Sequence, residues 1–200
     1  WRVLELGCGT GDLLAALTPK QGIGIDFSPE TVAVARQRHP SLDIRVQDAH
    51  KLDLEGEFDA IILSDLINDL WDVQTVLKGI HAHCTPRTRI IINMYSRMWE
   101  LPLSGARRAG LARPELQQNW LSPKDLENLL YLAGFNLIRH TQEILFPLNL
   151  PPVDSLCNKV IVKFFPFRHL ALTNIIVARI EPVRMPGPPP VVSVIVPARN

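Results

Sequence analysis

The 200-residue chain predicts an α/β fold: a mostly parallel sheet covered by helices on both faces. Three observations carry this expectation. Short runs of Val, Ile and Leu alternate along the chain with segments of helical spacing. Two of the helical segments begin with recognisable caps. The first apolar run ends on glycine and passes directly into a helical segment, RVLELGCGTGDLLAAL at 2–17.

In chain order, RVLEL (2–6) reads as a buried strand and DLLAAL (12–17) as a helix stopped by Pro19. GIGID (22–26) is the second strand. Ser28, Pro29 and Glu30 then supply an N-cap, a first helical proline and a first-turn acid. DIRV (43–46) and FDAIILS (58–64) are the third and fourth strands. The spacing of Leu70, Val73, Leu77 and Ile80 predicts a helix from about Leu70 to Cys84, and RIIINMY (89–95) is the fifth strand. The arginine-rich stretch 96–121 reads as an irregular insertion. In SPKDLENLLYLAGF (122–135), Ser122 caps, Pro123 opens, Asp125 stands at the capping-box position and Gly134 closes. NLIRHTQEIL and LALTNIIVARI read as two last strands, joined by a long apolar insert around 158–170. Residues 181–190, EPVRMPGPPP, read as a linker, followed by a separate strand at 191–200. The domain is thus expected to span 1–180.

Composition narrows the function classes. Hydrophobic residues make up 46% and charged residues 20%, with a net charge of +1 and no basic run to track a phosphate backbone, so nucleic acid is not implied as a partner. The three cysteines are far apart and no CxxC occurs, which favours a reducing, cytoplasmic setting over a disulfide framework or a zinc site. His81 and His83 are expected two apart on one helix, pointing to different sides, and the other histidines are isolated, so no metal is expected. No stretch approaches a membrane span. The start at Trp1 and the strand-like end read as a fragment cut at both ends.

The glycine turn is the strongest functional signal. Glycines at 7, 9 and 11 allow a sharp bend and close approach by a ligand, and the helix start behind them offers unpaired N–H groups. The spacing is Gly-x-Gly-x-Gly behind Glu5, whereas the dinucleotide fingerprint is Gly-x-Gly-x-x-Gly. This segment resembles the first motif of the class I S-adenosylmethionine-dependent methyltransferases, and three further segments are similar to that family's later motifs. They are GIDFSPETVAVAR, with Asp26 and Phe27 at the end of strand two; VQDAHKL, with Asp48 and Ala49; and FDAIILSDLINDL, with Ser64 and Asp65. The resemblance implies S-adenosyl-L-methionine as cofactor, held around Glu5, Gly7, Cys8, Gly9 and Gly11. It implies the ribose hydroxyls on Asp26, the adenine on Asp48 and the Ala49 amide, and the methionine end near Ser64. It also implies a Rossmann-like sandwich of seven strands in the order 3-2-1-4-5-7-6, the last antiparallel. The helices that family members carry before the first strand are missing here.

Methyl transfer from a sulfonium needs alignment more than acid–base chemistry. A base is required only for a weakly acidic acceptor. The candidates near the mouth are His50, Asp65, Asn68, Asp69, Trp71 and Tyr95, each of which an ordinary polar or packed loop would equally explain. Residues 158–170 read as an excursion packed on the sheet, a lid over an apolar acceptor, or a peripheral membrane contact at the inner face. VSVIVPARN (192–200) resembles the opening strand of family 2 glycosyltransferases. That likeness implies a bacterial bifunctional protein with a covalently linked glycosyltransferase domain and a small-molecule, glycan or lipid-linked acceptor. The rival readings are an NAD-dependent oxidoreductase, a cofactor-binding module without turnover that scaffolds the glycosyltransferase, and an aminopropyl transferase of the same fold.

Overall fold

A computed structural model describes residues 1–108, 110, 119–146 and 150–181. Most of the linker and the whole of the last strand expected at 191–200 lie outside the described residues. The strands are β1 (Arg2–Leu6), β2 (Gln21–Asp26), β3 (Asp43–Val46), β4 (Phe58–Ser64), β5 (Cys84–Tyr95), β6 (Phe135–Glu143) and β7 (Thr173–Ile180). The described residues form one seven-stranded sheet in the order β3-β2-β1-β4-β5-β7-β6. The pairs β1–β2, β1–β4, β2–β3 and β4–β5 are parallel, and β7 runs antiparallel to both β5 and β6.

Helices α1 (Asp12–Ala16) and α2 (Pro29–Arg38) cover one face, where Leu14, Val32 and Ala35 pack on Val3, Ile44, Ala60 and Ile62. Helices α3 (Val73–His81) and α5 (Pro123–Leu132) cover the other. There Val76, Leu77, Ile80, Leu126 and Leu130 join Leu4, Ile25, Ile61, Leu63, Ile90 and Ile92 in the larger core. Because side chains alternate along a strand, β1 serves both cores, sending Leu4 and Leu6 one way and Val3 and Glu5 the other.

Several expectations needed correction. The helix foreseen from Leu70 to Cys84 is shorter, because Asp72 caps it by accepting from the Thr75 N–H at 3.0 Å. A 3-10 turn at Ile67–Asp69 precedes it. Cys84 belongs to β5, which starts before Arg89 and pairs with Phe58 across a register shift. His83 therefore lies beyond the helix, its Nδ1 3.0 Å from the Gly56 carbonyl, while His81 ends the helix against the Phe135 ring. The stretch 96–121 is not wholly irregular. It holds a 3-10 turn (Arg97–Trp99) and α4 (Glu100–Arg108), whose Pro102 is tolerated in the first turn. The insert between β6 and β7 is helical too, with α6 (Val153–Lys159) and 3-10 turns at Ile161–Lys163 and Phe167–Leu170. Among the described residues no helix is long and apolar enough to cross a membrane.

The capping box of α5 is complete: Ser122 Oγ accepts from the Asp125 N–H at 3.2 Å, and Asp125 Oδ2 accepts from the Ser122 N–H at 2.9 Å. Ser122→Ala is expected to cost about 1 kcal/mol. Urea denaturation should show it as a lower midpoint with an unchanged slope.

Candidate active site

The C-terminal ends of β3, β2, β1 and β4 stand side by side. Between β1 and β4 the order of the strands reverses, the position at which open α/β sheets hold their ligands. A cleft of about 530 Å³ opens there, a size ordinary for a small-molecule site.

The wall from β1 is the glycine turn. Gly7, Gly9 and Gly11 have φ of 67°, 52° and 77°, left-handed values that a side chain would strain. A Cβ on Gly7 would also lie 2.9 Å from Leu66 Cδ1, so a side chain there would have to push Leu66, in the loop after β4, aside. Three amides of the turn are engaged within the protein. Cys8 N donates to the Ile25 carbonyl, Gly9 N to Asp26 Oδ2, and Gly11 N to the Cys8 carbonyl. The helix behind it is only five residues long, so its dipole is slight. Gly7 is the residue of the turn that lines the cleft.

Asp26, at the end of β2, is fixed from two directions. Its Oδ2 accepts from Gly9 N at 3.0 Å and its Oδ1 from Ser28 N at 2.9 Å. A carboxylate has lone pairs to spare after two such bonds, and Asp26 lines the cleft. Asp48, past the end of β3, accepts at Oδ1 from the His50 N–H (2.9 Å) and bonds His50 Nδ1 (2.8 Å). The His50 backbone N–H first, and then the His50 ring, hold its carboxyl below the usual range. Oδ2 has no protein partner among the described residues. The Asp72 N–H points at His50 Nε2 (3.4 Å), so Nε2 accepts and Nδ1 carries the proton given to Asp48. The ring also stacks on Trp71, centroids 4.4 Å apart. With both nitrogens engaged, His50 is a wall residue and not a free base.

Seven of the eleven cofactor residues suggested by the motifs meet in the cleft lining: Gly7, Asp26, Phe27, Asp48, Ala49, Ser64 and Asp65. The catalytic candidates Asp69 and Trp71 meet there as well. Glu5, Cys8, Gly9, Gly11, Asn68 and Tyr95 are not among the lining residues. Asn68 is fully buried and structural: its Oδ1 accepts from Tyr95 N at 3.0 Å and its Nδ2 donates to the Asn119 carbonyl at 2.9 Å. The Cys8 thiol is pushed up to about 12, by burial first and then by the charges of Glu5 and Asp26, so it is no nucleophile. Its sulfur fills the space beside β2, where a Cβ on Gly24 would lie 2.8 Å away. Gln47, Leu66 and Leu70 line the cleft without having been foreseen. Gln47 was findable as the residue just before Asp48 at the end of a strand. Its Oε1 is shielded from solvent without a partner, and an orphaned acceptor in a cleft wall suits a ligand N–H or O–H.

The charge of the lining is one-sided. It holds Asp26, Asp48, Asp65 and Asp69 and no lysine or arginine. Such a site favours a cationic ligand and opposes a diphosphate.

A methyltransferase-domain family matches residues 2–140. The chain belongs to that family. Among methyltransferases similar to it, the ubiquinone biosynthesis O-methyltransferase of Rhodopseudomonas palustris is 28% identical over 149 residues, covering 68% of this chain and 58% of that protein. A probable S-adenosylmethionine-dependent methyltransferase of Mycolicibacterium smegmatis is 39% identical over 139 residues, covering 68% and 52%. The chain spans about half the length of the relatives it matches. The crystal structure of a methyltransferase from Methanosarcina mazei shares the fold with a TM-score of 0.67, at 18% identity, over 90% of this chain and 92% of that one. The magnesium protoporphyrin IX methyltransferase of Synechocystis, with bound S-adenosylhomocysteine, does so with a TM-score of 0.60, at 17% identity, over 90% and 73%. The family match decides against the dinucleotide reading of the glycine turn.

Glu5 gives this methyltransferase domain a pH signature. Burial pushes its carboxyl up to about 7 against a hydrogen bond from the Leu14 backbone, and its Oε2 has no partner. The folded state therefore keeps a proton that the unfolded chain has lost, and stability falls as pH rises from about 4.5 to about 7. The full effect is on the order of 3 kcal/mol, from a carboxyl moved from 4.5 to about 7. Glu5→Gln should abolish this slope and be the more stable chain at about pH 8. Urea titrations across that range check it, and parallel profiles for the two proteins would refute the assignment.

Proposed function

We propose that this chain is a methyltransferase that binds S-adenosyl-L-methionine in the acid-lined cleft and alkylates a small-molecule, glycan or lipid-linked acceptor. The observation that carries the reading is the four-aspartate lining without a cation. S-adenosylmethionine combines an ammonium and a sulfonium with a single carboxylate, so its net charge suits such walls, whereas the diphosphate of NADH does not. Bound there, it supplies an activated methyl group and an uncharged sulfur leaving group.

The chain's own residues bind and orient. Asp26, held by Gly9 and Ser28, takes the ribose hydroxyls, while Asp48 Oδ2 and Gln47 Oε1 offer acceptors for the adenine amino group. Phe27 and the Trp71–His50 stack give flat apolar walls for the base. Ser64 and Asp65 close the far end, Asp65 at a left-handed φ of 54° and bonded from Asn93 Nδ2 at 2.8 Å. Asp69 is the candidate base at the mouth where an acceptor needs one.

The glycosyltransferase fusion remains part of the proposal on the likeness of residues 192–200, and reading the gene past Asn200 tests it. An acceptor side facing the inner surface of a membrane is supported by the exposed Phe164, Phe165 and Phe167.

Calorimetric titration should show S-adenosylhomocysteine binding to the chain and no binding of NADH. Asp26→Asn replaces a double acceptor with a group that must turn a donor toward Gly9 or Ser28. It is expected to weaken binding by about 10-fold or more while the protein stays folded by circular dichroism. Equal affinity in the variant, or binding of NADH, would overturn the reading.

A further inference from the structure

A second concavity, of about 830 Å³, lies on the same edge of the sheet, where β5 and β6 end and β7 begins. Its character is opposite to that of the cleft. Arg97, Lys124, Arg139, Lys163 and Arg168 line it, against one acid, Glu143. All five cations are exposed, and none makes a salt bridge within 4 Å among the described residues. They come from five separate places: the turn after β5, the start of α5, β6, and the two 3-10 turns of the β6–β7 insert.

At its base is an unmet polar group. Asn174, on β7, is 1% exposed and lines the groove. Its Oδ1 bonds His140 Nε2 at 2.9 Å, and its Nδ2 has no partner. Turning the amide over only exchanges the two ends, so one polar atom stays unmatched either way. Leaving such a group buried is costly unless a ligand meets it.

The groove is tied to both of its neighbours. Asn68 holds Tyr95 on the cleft side, and Ser96 and Arg97 follow directly into the groove. On the far side, Trp99 Nε1 donates to the Leu170 carbonyl at 2.9 Å and fixes the insert as a wall. That insert carries an apolar shelf: Phe164 is 62% exposed, Phe165 74% and Phe167 45%. Phe165 packs edge-on against His169, itself a lining residue, so shelf and groove are continuous.

We propose that this groove seats the phosphate or diphosphate of the acceptor and that the Phe164–Phe167 shelf carries an apolar chain attached to it. The acceptor class is then a phosphorylated amphiphile. This rests on the methyltransferase reading, since the groove opens beside the cleft that would hold the methyl donor. Guanidinium and ammonium groups on opposing walls match phosphate oxygens, and exposed aromatics take a prenyl or acyl chain.

The test is calorimetric titration of the full chain, with S-adenosylhomocysteine present, using farnesyl diphosphate, inorganic pyrophosphate and farnesol at low ionic strength. Farnesyl diphosphate is expected to bind about 10-fold or more tighter than pyrophosphate, to weaken as salt is added, and to outbind farnesol. The double variant Lys163→Gln/Arg168→Gln changes two exposed side chains. It is expected to lose about 10-fold or more in affinity for farnesyl diphosphate at unchanged melting temperature and unchanged S-adenosylhomocysteine affinity. Equal binding of farnesyl diphosphate and pyrophosphate would overturn the shelf's role, and equal binding of farnesol would overturn the phosphate's. Undiminished affinity in the variant, or no binding of the diphosphate at all, would overturn the site. Diphosphate binding without S-adenosylhomocysteine binding would sink the methyltransferase reading and leave the anion groove standing.

Discussion

The Asp26 carboxylate is the fixed point of the cleft. Its two oxygens hold the amides of Gly9 and Ser28, and its backbone carbonyl accepts from Gln47 N at 2.9 Å. One residue thereby sets the path of the glycine turn, the entry into α2 and the direction in which the chain leaves β3. Backbone amides bonded to a charged acceptor are among the stronger hydrogen bonds available. The three strand ends need no bound ligand to keep their spacing.

From that fixed point outward, the edge of the sheet divides by charge. The cleft over β3-β2-β1-β4 is acidic and the groove over β5-β7-β6 is basic. The division follows the topology. The parallel half places Asp26, Asp48 and Asp65 at or just past its strand ends, while the antiparallel half gathers its cations from the turn after β5, the start of α5, β6 and the β6–β7 insert. The join between them is polar and well bonded, with Asp65 to Asn93, Asn68 to Tyr95, and Asn68 to Asn119. A methyl donor and an anionic acceptor brought to adjoining regions would each be repelled from the other's seat.

Much of this was legible in the residues. The glycine turn, the Ser28 cap and the Ser122–Asp125 box act over three or four residues, and local signals of that kind survive folding intact. Seven strands and their order followed from the likeness of four motifs to a known fold. What escaped was non-local. Gly24 is required by the sulfur of Cys8, sixteen positions away, and nothing near Gly24 announces it. Cys84 joins a strand because Phe58 is there to pair with it. Glu5 stood out by its place before the glycine turn, but its burial, which raises its carboxyl, comes from the packing around β1. The basic groove was invisible because its cations are spread from Arg97 to Arg168 and only the sheet gathers them.

The β6–β7 insert leaves and re-enters the sheet at almost one point, since Leu172 N donates to the Ile144 carbonyl at 2.7 Å. A segment whose two ends meet at its base can lengthen, shorten or be replaced with little entropic penalty. The cleft, by contrast, is woven from four strand ends that constrain one another. Evolution is therefore free to exchange the insert while the woven half of the sheet stays as it is. Descendants of such a chain would diversify in the groove and shelf long before they changed the cleft.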